Sequence, residues 1–247
     1  MPTSAVTPER FAKGMTFEQY VKYVGSPENL AREGFAGYHP DAGSIGGPRK
    51  DNSAVFRERY ARARLADHQV AAITWLVGQP DAPAKILAIS EDWSSDCRRD
   101  IPMLQRLAEA GGLELRIFNR DGQKILDRRR PDPAVAPDAN HDLMLELMNV
   151  KDGGEYASVP AVGVYTKDFR PLCRYLEYPA IYHKDQVRGH MQKARPGESE
   201  AQRKERDARE FLAMQASPFF DLWASAAIDD ILAALYERHV LAGGAPA

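Results

Sequence analysis

Lys85-Ile-Leu-Ala-Ile-Ser-Glu-Asp-Trp93-Ser94-Ser95-Asp96-Cys97-Arg98-Arg99-Asp100-Ile101-Pro102 carries the reading of the fold. Pro83 precedes it, and residues 85–90 form a short apolar run rich in branched side chains, the pattern of a buried strand. Beyond Trp93-Ser94 the period changes. Ile101, Leu104, Leu107 and Ala108 recur at helical spacing until Gly111-Gly112 stops them. A strand that feeds straight into a helix leaves the unpaired N–H groups of the first helical turn aimed at the connecting residues. Cys97, one of only 2 cysteines, lies one turn into that helix, so chemistry is expected there.

Upstream, Thr16 caps a short helix that runs through Val21 and Val24 to Gly25. Residues 26–52 are rich in Gly and Pro and predict a connecting loop. The segment Gly46-Gly47-Pro48-Arg49-Lys50 lacks the spacing of a phosphate loop and follows no strand signal. Phe56, Tyr60, Ala63, Val70, Ile73 and Val77 predict one long helix. Arg57, Arg59, Arg62 and Arg64 fall on its other side, a solvated face without the aromatic residues of a nucleic-acid surface.

Downstream, residues 113–118 alternate as a strand, and residues 119–138 form a basic, proline-punctuated loop. His141 to Val150 reads as a helix. Residues 159–165 and 172–176, joined by a tight turn, predict an antiparallel pair, with Pro160 tolerated at a strand start. After Pro179 the pattern is helical: Ser199-Glu200-Ala201-Gln202 has capping-box form, and Ser217-Pro218 opens a helix with Phe220, Trp223, Ala227, Ile231 and Leu235 on one face, closed by Gly243-Gly244. This order predicts a mixed α/β fold with a small sheet.

The composition excludes several function classes. The 247 residues are 44% hydrophobic and 28% charged with a formal net charge of -2, which gives no reason to expect nucleic acid or an anionic membrane as partner. No apolar run reaches the length of a membrane span, and residues 1–14 lack the apolar core of a signal peptide. Two cysteines make no disulfide framework, so a reducing cytoplasm is expected. The histidines at 39, 68, 141, 183, 190 and 239 are scattered and read as surface or structural, and neither a metal nor a cofactor is expected.

Trp93-x-x-Asp96-Cys97, then Pro102, then Val159-Pro160 opening a hairpin, resemble the thioredoxin superfamily. The run 89–97 is similar to that of bacterial thioredoxin-like proteins whose site reads Ile-Ser-Glu-Asp-Trp-Cys-x-Asp-Cys, with further similarity at Arg174-Tyr175-Leu176-Glu177-Tyr178-Pro179. The resemblance spans about residues 84–180 and implies a thioredoxin-like core at 81–183, a small mixed sheet sandwiched by helices. Helical extensions are expected at 1–80 and 184–247. It also implies a cis peptide before Pro160, beside the site, with the Val159 backbone free to pair with an extended substrate. The implied lineage is thiol–disulfide oxidoreductase, with protein or small-molecule thiols and disulfides as partners.

The chain departs from that pattern at the attacking position, where Ser94 replaces the first cysteine. A hydroxyl forms no disulfide, and a helix N-terminus stabilises an anion by only about 1 kcal/mol, far too little to ionise serine. Cycling between Ser94 and Cys97 is therefore impossible, and Ser94 reads as a helix cap. Any redox activity would run through Cys97 alone, with Cys173 as a candidate second thiol, since counting about the turn sets it near the level of Pro160. Arg98 and Arg99 favour a Cys97 thiolate and Asp96 opposes it. Ala88 stands where typical thioredoxins keep a buried Asp, and Glu91 and Asp92 are expected in a solvated turn. One alternative is a thiol-conjugate function, in which Ser94 serves a glutathione-like ligand held by Trp93, Ser95, Val159 and Pro160. Another is a non-catalytic interaction module for a peptide or, through Trp223 and its neighbours, a second copy of the chain.

Overall fold

A computed structural model describes residues 4–39, 43–127, 132–134, 136–180 and 184–241; at 38, 39, 43, 44, 184–186 and 188 it describes the backbone alone. The chain opens with helices α1 (Pro8–Ala12), α2 (Phe17–Val24) and α3 (Pro27–Leu30), then strands β1 (Glu33–His39) and β2 (Gly43–Pro48). Helices α4 (Ser53–Arg62) and α5 (Asp67–Val77) lead to β3 (Lys85–Ser90), α6 (Ser95–Gly111) and β4 (Glu114–Asn119). Helix α7 (His141–Glu146) is followed by β5 (Asn149–Lys151), β6 (Gly154–Tyr156), β7 (Ala161–Tyr165) and β8 (Pro171–Leu176). Helices α8 (Lys184–Met191), α9 (Glu200–Ala216) and α10 (Pro218–Leu241) complete it.

The main sheet has the order β4-β3-β7-β8. Ile89 lies beside Phe118 of the parallel β4 and opposite Ala161 of the antiparallel β7. β3 is an inner strand, and Ile86, Leu87, Ala88 and Ile89 are all fully buried, which is why its sequence is an unbroken apolar run. The α6 helix starts where Ser94 Oγ accepts the Cys97 N–H (3.4 Å) and stops at Gly112, whose left-handed conformation (φ 64) suits glycine. The architecture is the expected mixed α/β one, with helical segments on either side of the core in sequence.

Those segments join a common core. Tyr20 of α2 is fully buried, and its hydroxyl meets Ser90 Oγ at 2.9 Å. Phe220, Trp223, Ala227, Ile231 and Leu235 of α10 are buried as well, and α10 packs on α5, α6 and β8. Trp223 and Phe220 lie 5.5 Å from the Arg99 guanidinium, so the aromatic face that suggested a second copy of the chain is taken up inside this one.

The structure corrects four local expectations. The predicted 26–52 loop contains α3 and the β1–β2 hairpin. Close approach is what its glycines supply: a side chain at Gly34 would meet the Arg49 backbone at 2.8 Å. The predicted long helix is two, because Ala63 turns extended (ψ 130) and the Gln69 side chain accepts the Ala66 N–H at 3.0 Å to start α5. Gln69 is itself fully buried and donates to the Ser225 carbonyl (3.0 Å) and Asp229 (2.8 Å) of α10. The arginine face is not solvated throughout: Arg59 and Arg62 both pair with Asp221, at 2.9 and 3.0 Å. Finally, α7 ends at Glu146, and the Lys151-Asp152-Gly153-Gly154 turn, with φ 50 and 72 at its centre, folds β5 onto β6. The Gly243-Gly244 stop and His183 lie outside the described residues.

Candidate functional site

A groove of about 680 Å³ opens where β3 passes into α6. Its lining includes Trp93, Ser94, Ser95 and Val159, so the structure brings together four of the residues singled out from sequence. Pro160 follows Val159 directly, and the Val159–Pro160 peptide is cis. Phe35 of β1 stacks on Trp93 with ring centroids 4.8 Å apart, and Phe211 of α9 and Gln192 stand on the outer wall.

Cys97 lies beneath the groove rather than on it. Its side chain is fully buried, and its sulfur accepts the Glu91 N–H at 3.4 Å. Burial pushes the thiol up to about 12, against hydrogen bonds from Ser90, the Glu91 amide and Ser94 that favour the thiolate. At neutral pH the group is a protonated, enclosed thiol. Ser94 is buried to 7% exposure and serves as the cap its sequence position predicts. Cys173 does not join the site. The register sets it opposite Val164, while Leu176 faces Ala161, so it lies roughly 13 Å along the strand from Pro160 at about 3.3 Å per residue. The earlier counting fails because the paired stretch runs on to Leu176, and Glu177 N–H bonds to the Pro160 carbonyl at 2.8 Å. Both cysteines are free, and burial pushes Cys173 up to about 12 too.

Glu91 and Asp92 are not solvated; they are 0% and 2% exposed. Arg32 donates to Glu91 Oε1 at 2.9 Å and Arg49 to Oε2 at 2.8 Å, with Arg49 also paired to Asp92. The Asp121 N–H reaches Glu91 Oε1 at 2.8 Å. Burial pushes the Glu91 carboxyl above the ordinary range and Asp121 adds to this, while Arg32 and Arg49 pull the other way. Asp121 in turn accepts the Trp93 indole N–H (3.0 Å) and the Arg120 Nε–H (2.7 Å), and Arg120 lies 5.1 Å from the Trp93 ring. The β1–β2 hairpin and the loop after β4 therefore fix Trp93 from two sides.

A second buried cluster braces the start of α6. Arg99 binds Asp100 at 2.6 Å and Asp96 at 3.0 Å, and Tyr175 donates to Asp100 at 2.8 Å. Sequence reading missed Arg32 and Arg49, whose partner Glu91 lies far away in the chain, and the adjacent Arg120–Asp121 pair, whose further contacts include Ala157 and Glu91. The Glu91-Asp92 pair beside a buried strand was the available signal. Among the described residues no three His, Cys, Asp or Glu side chains gather as a metal site, and no helix is long and apolar enough to cross a membrane.

Residues 45–132 match a family model described as thioredoxin. The matched stretch, from β2 through α6 and β4, is thioredoxin-like. A crystal structure of a protein of unknown function from Pseudomonas aeruginosa has the same overall arrangement, with a TM-score of 0.51 at 16% identity over 94% of this chain and 98% of that one. An HIV epitope-scaffold, also 16% identical, aligns over 95% of this chain and 99% of its own with a TM-score of 0.47. No curated protein matches the chain. The matched residues include β3, the turn that holds Ser94, α6 and β4.

Proposed function

We propose that this thioredoxin-like domain is a binding protein for a small thiol-bearing peptide of the glutathione type, held in the Trp93–Ser94 groove without disulfide exchange. The observation that carries the reading is the separation of roles in depth: Trp93, Ser94, Ser95 and Val159 line the groove, while the Cys97 sulfur is sealed below it. A groove of about 680 Å³ falls within the roughly 300–1,000 Å³ usual for small-molecule sites. The Phe35–Trp93 stack gives an aromatic wall. Ser94 Oγ accepts the Cys97 N–H, so its proton has the Cys97 sulfur as one acceptor and a ligand sulfur as another.

Exchange through Cys97 alone, the oxidoreductase reading of the lineage, is the weaker one, because a thiol at about pKa 12 supplies almost no thiolate at neutral pH. Calorimetric titration of the full chain with reduced glutathione and with S-methylglutathione tests the proposal. Saturable binding of the free thiol is expected, weakened about tenfold in Ser94→Ala, restored in Ser94→Thr, and weaker for the S-methyl form. Absence of saturable binding sinks it. Rapid alkylation of Cys97 in the native protein at pH 7 would favour exchange instead.

A further inference from the structure

A second cavity, of about 860 Å³, lies at the other end of the sheet. The Trp93 groove sits past the C-terminal end of β3, whereas this cavity is lined by the start of the parallel strand β4 and by the C-terminal end of α6. Its facing wall is built from α2 and α4, with Phe17, Val21 and Lys22 from the first and Arg57 and Tyr60 from the second. Buried apolar side chains floor it: Phe17, Val21, Ala108, Leu113 and Leu115.

The rim is charged, and most of its acids are already occupied. Glu109 accepts from Tyr60, from Gln105 at 3.0 Å and from Arg106 at 2.9 Å. Glu114 accepts from Lys85 at 3.0 Å and from Arg116 at 2.6 Å. Among the described residues Lys22 and Arg57 form no ion pair; Arg57 donates to Ser53 Oγ at 3.2 Å. Glu18 is the remaining acid on that rim without a partner among the described residues; counted with Arg106 and Lys85, which reach Glu109 and Glu114, five cations (Lys22, Arg57, Lys85, Arg106, Arg116) face three carboxylates, so the mouth is net positive. Apolar floor and cationic rim together match one ligand chemistry.

We propose that this cavity is a second ligand site that takes an amphipathic monoanion, a carboxylate or sulfonate with an apolar tail. The head group meets Lys22 and Arg57, whose charge-assisted hydrogen bonds offset its desolvation. The tail covers Val21, Leu113 and Leu115 and removes their exposed edges from water. The site is independent of the Trp93 groove and of whether that groove binds a thiol.

Titration of the full chain with 8-anilinonaphthalene-1-sulfonate, with octanoate as competitor and backbone amide resonances followed by NMR, tests this. One saturable site is expected, displaced by octanoate, with shifts at residues 17–22 and 112–116. The exposed-site double variant Lys22→Gln/Arg57→Gln should weaken both ligands about tenfold, and Glu18→Gln should tighten them. No saturable binding, shifts confined to other residues, or unchanged affinity in both variants overturns the proposal.

Discussion

Arg49 and Arg170 each hold a carboxylate, yet the two pairs differ in almost every consequence. Arg49 is shielded from solvent, bridges Glu91 and Asp92, and donates to the Glu33 carbonyl at 2.8 Å. Arg170 meets Asp81 with 54% and 60% of the two side chains exposed. Water solvates the exposed pair about as well apart as together, so its formation changes little. The enclosed cluster has no such alternative: every charge depends on its partners, and removal of one strands the others. Even so, Arg49 Nε is buried without a hydrogen bond, which shows how tightly the guanidinium is confined. The molecule concentrates its electrostatic vulnerability at the end of β3 that carries the groove.

The contrast can be broken most directly at Glu91. Glu91→Ala leaves two buried arginines facing the gap and should destabilise the protein by about 3–5 kcal/mol in chemical denaturation. A loss similar to that of a surface mutation would mean that water enters the cluster. Cys97 extends the test to pH. Its folded pKa is raised, so the unfolded chain gives up the thiol proton first; the stabilisation is complete below about pH 9 and falls as pH rises towards about 12. Between those values Cys97→Ala should make the decline shallower by about 1.4 kcal/mol per pH unit. An identical pH profile for the two proteins contradicts the enclosure of the sulfur.

Tyr20→Phe sharpens the comparison with a neutral contact in the same region. Loss of the hydroxyl partner of buried Ser90 should lower stability by about 1 kcal/mol, read from the shift in denaturation midpoint at constant slope. Arg170→Ala is the smallest case and should leave the midpoint unmoved, since both partners of that pair remain well hydrated.

The strand, turn and helix from Lys85 to Gly112 were legible because each used a local signal: an apolar run, a serine cap and a glycine stop. The groove was legible in part for the same reason, since Trp93, Ser94 and Ser95 sit at the edges of those elements and Val159 and Pro160 directly precede β7. The β1–β2 hairpin was hidden, because glycines chosen for close approach read as loop and leave no alternating pattern. Arg32 and Arg49 have partners 59 and 42 positions away, and such pairing leaves no periodicity. Glu91 and Asp92 looked solvated only because their cations lie outside any local window. The break after Arg62 carries neither Gly nor Pro and depends on Gln69 reaching α10. By contrast, Asp152-Gly153 is a hairpin signal that local reading can recover.

Arg32, Arg49, Glu91 and Asp92 also constrain how this sequence can change. A single replacement that removes a charge passes through a state with an unmatched charge in the interior, whereas simultaneous replacement by well-fitting apolar residues would remove the charges together. The four positions therefore behave as one heritable block that ties the hairpin to the turn before α6. In a library of variants the viable alternatives at these positions should be concerted sets, and drift one residue at a time should be blocked.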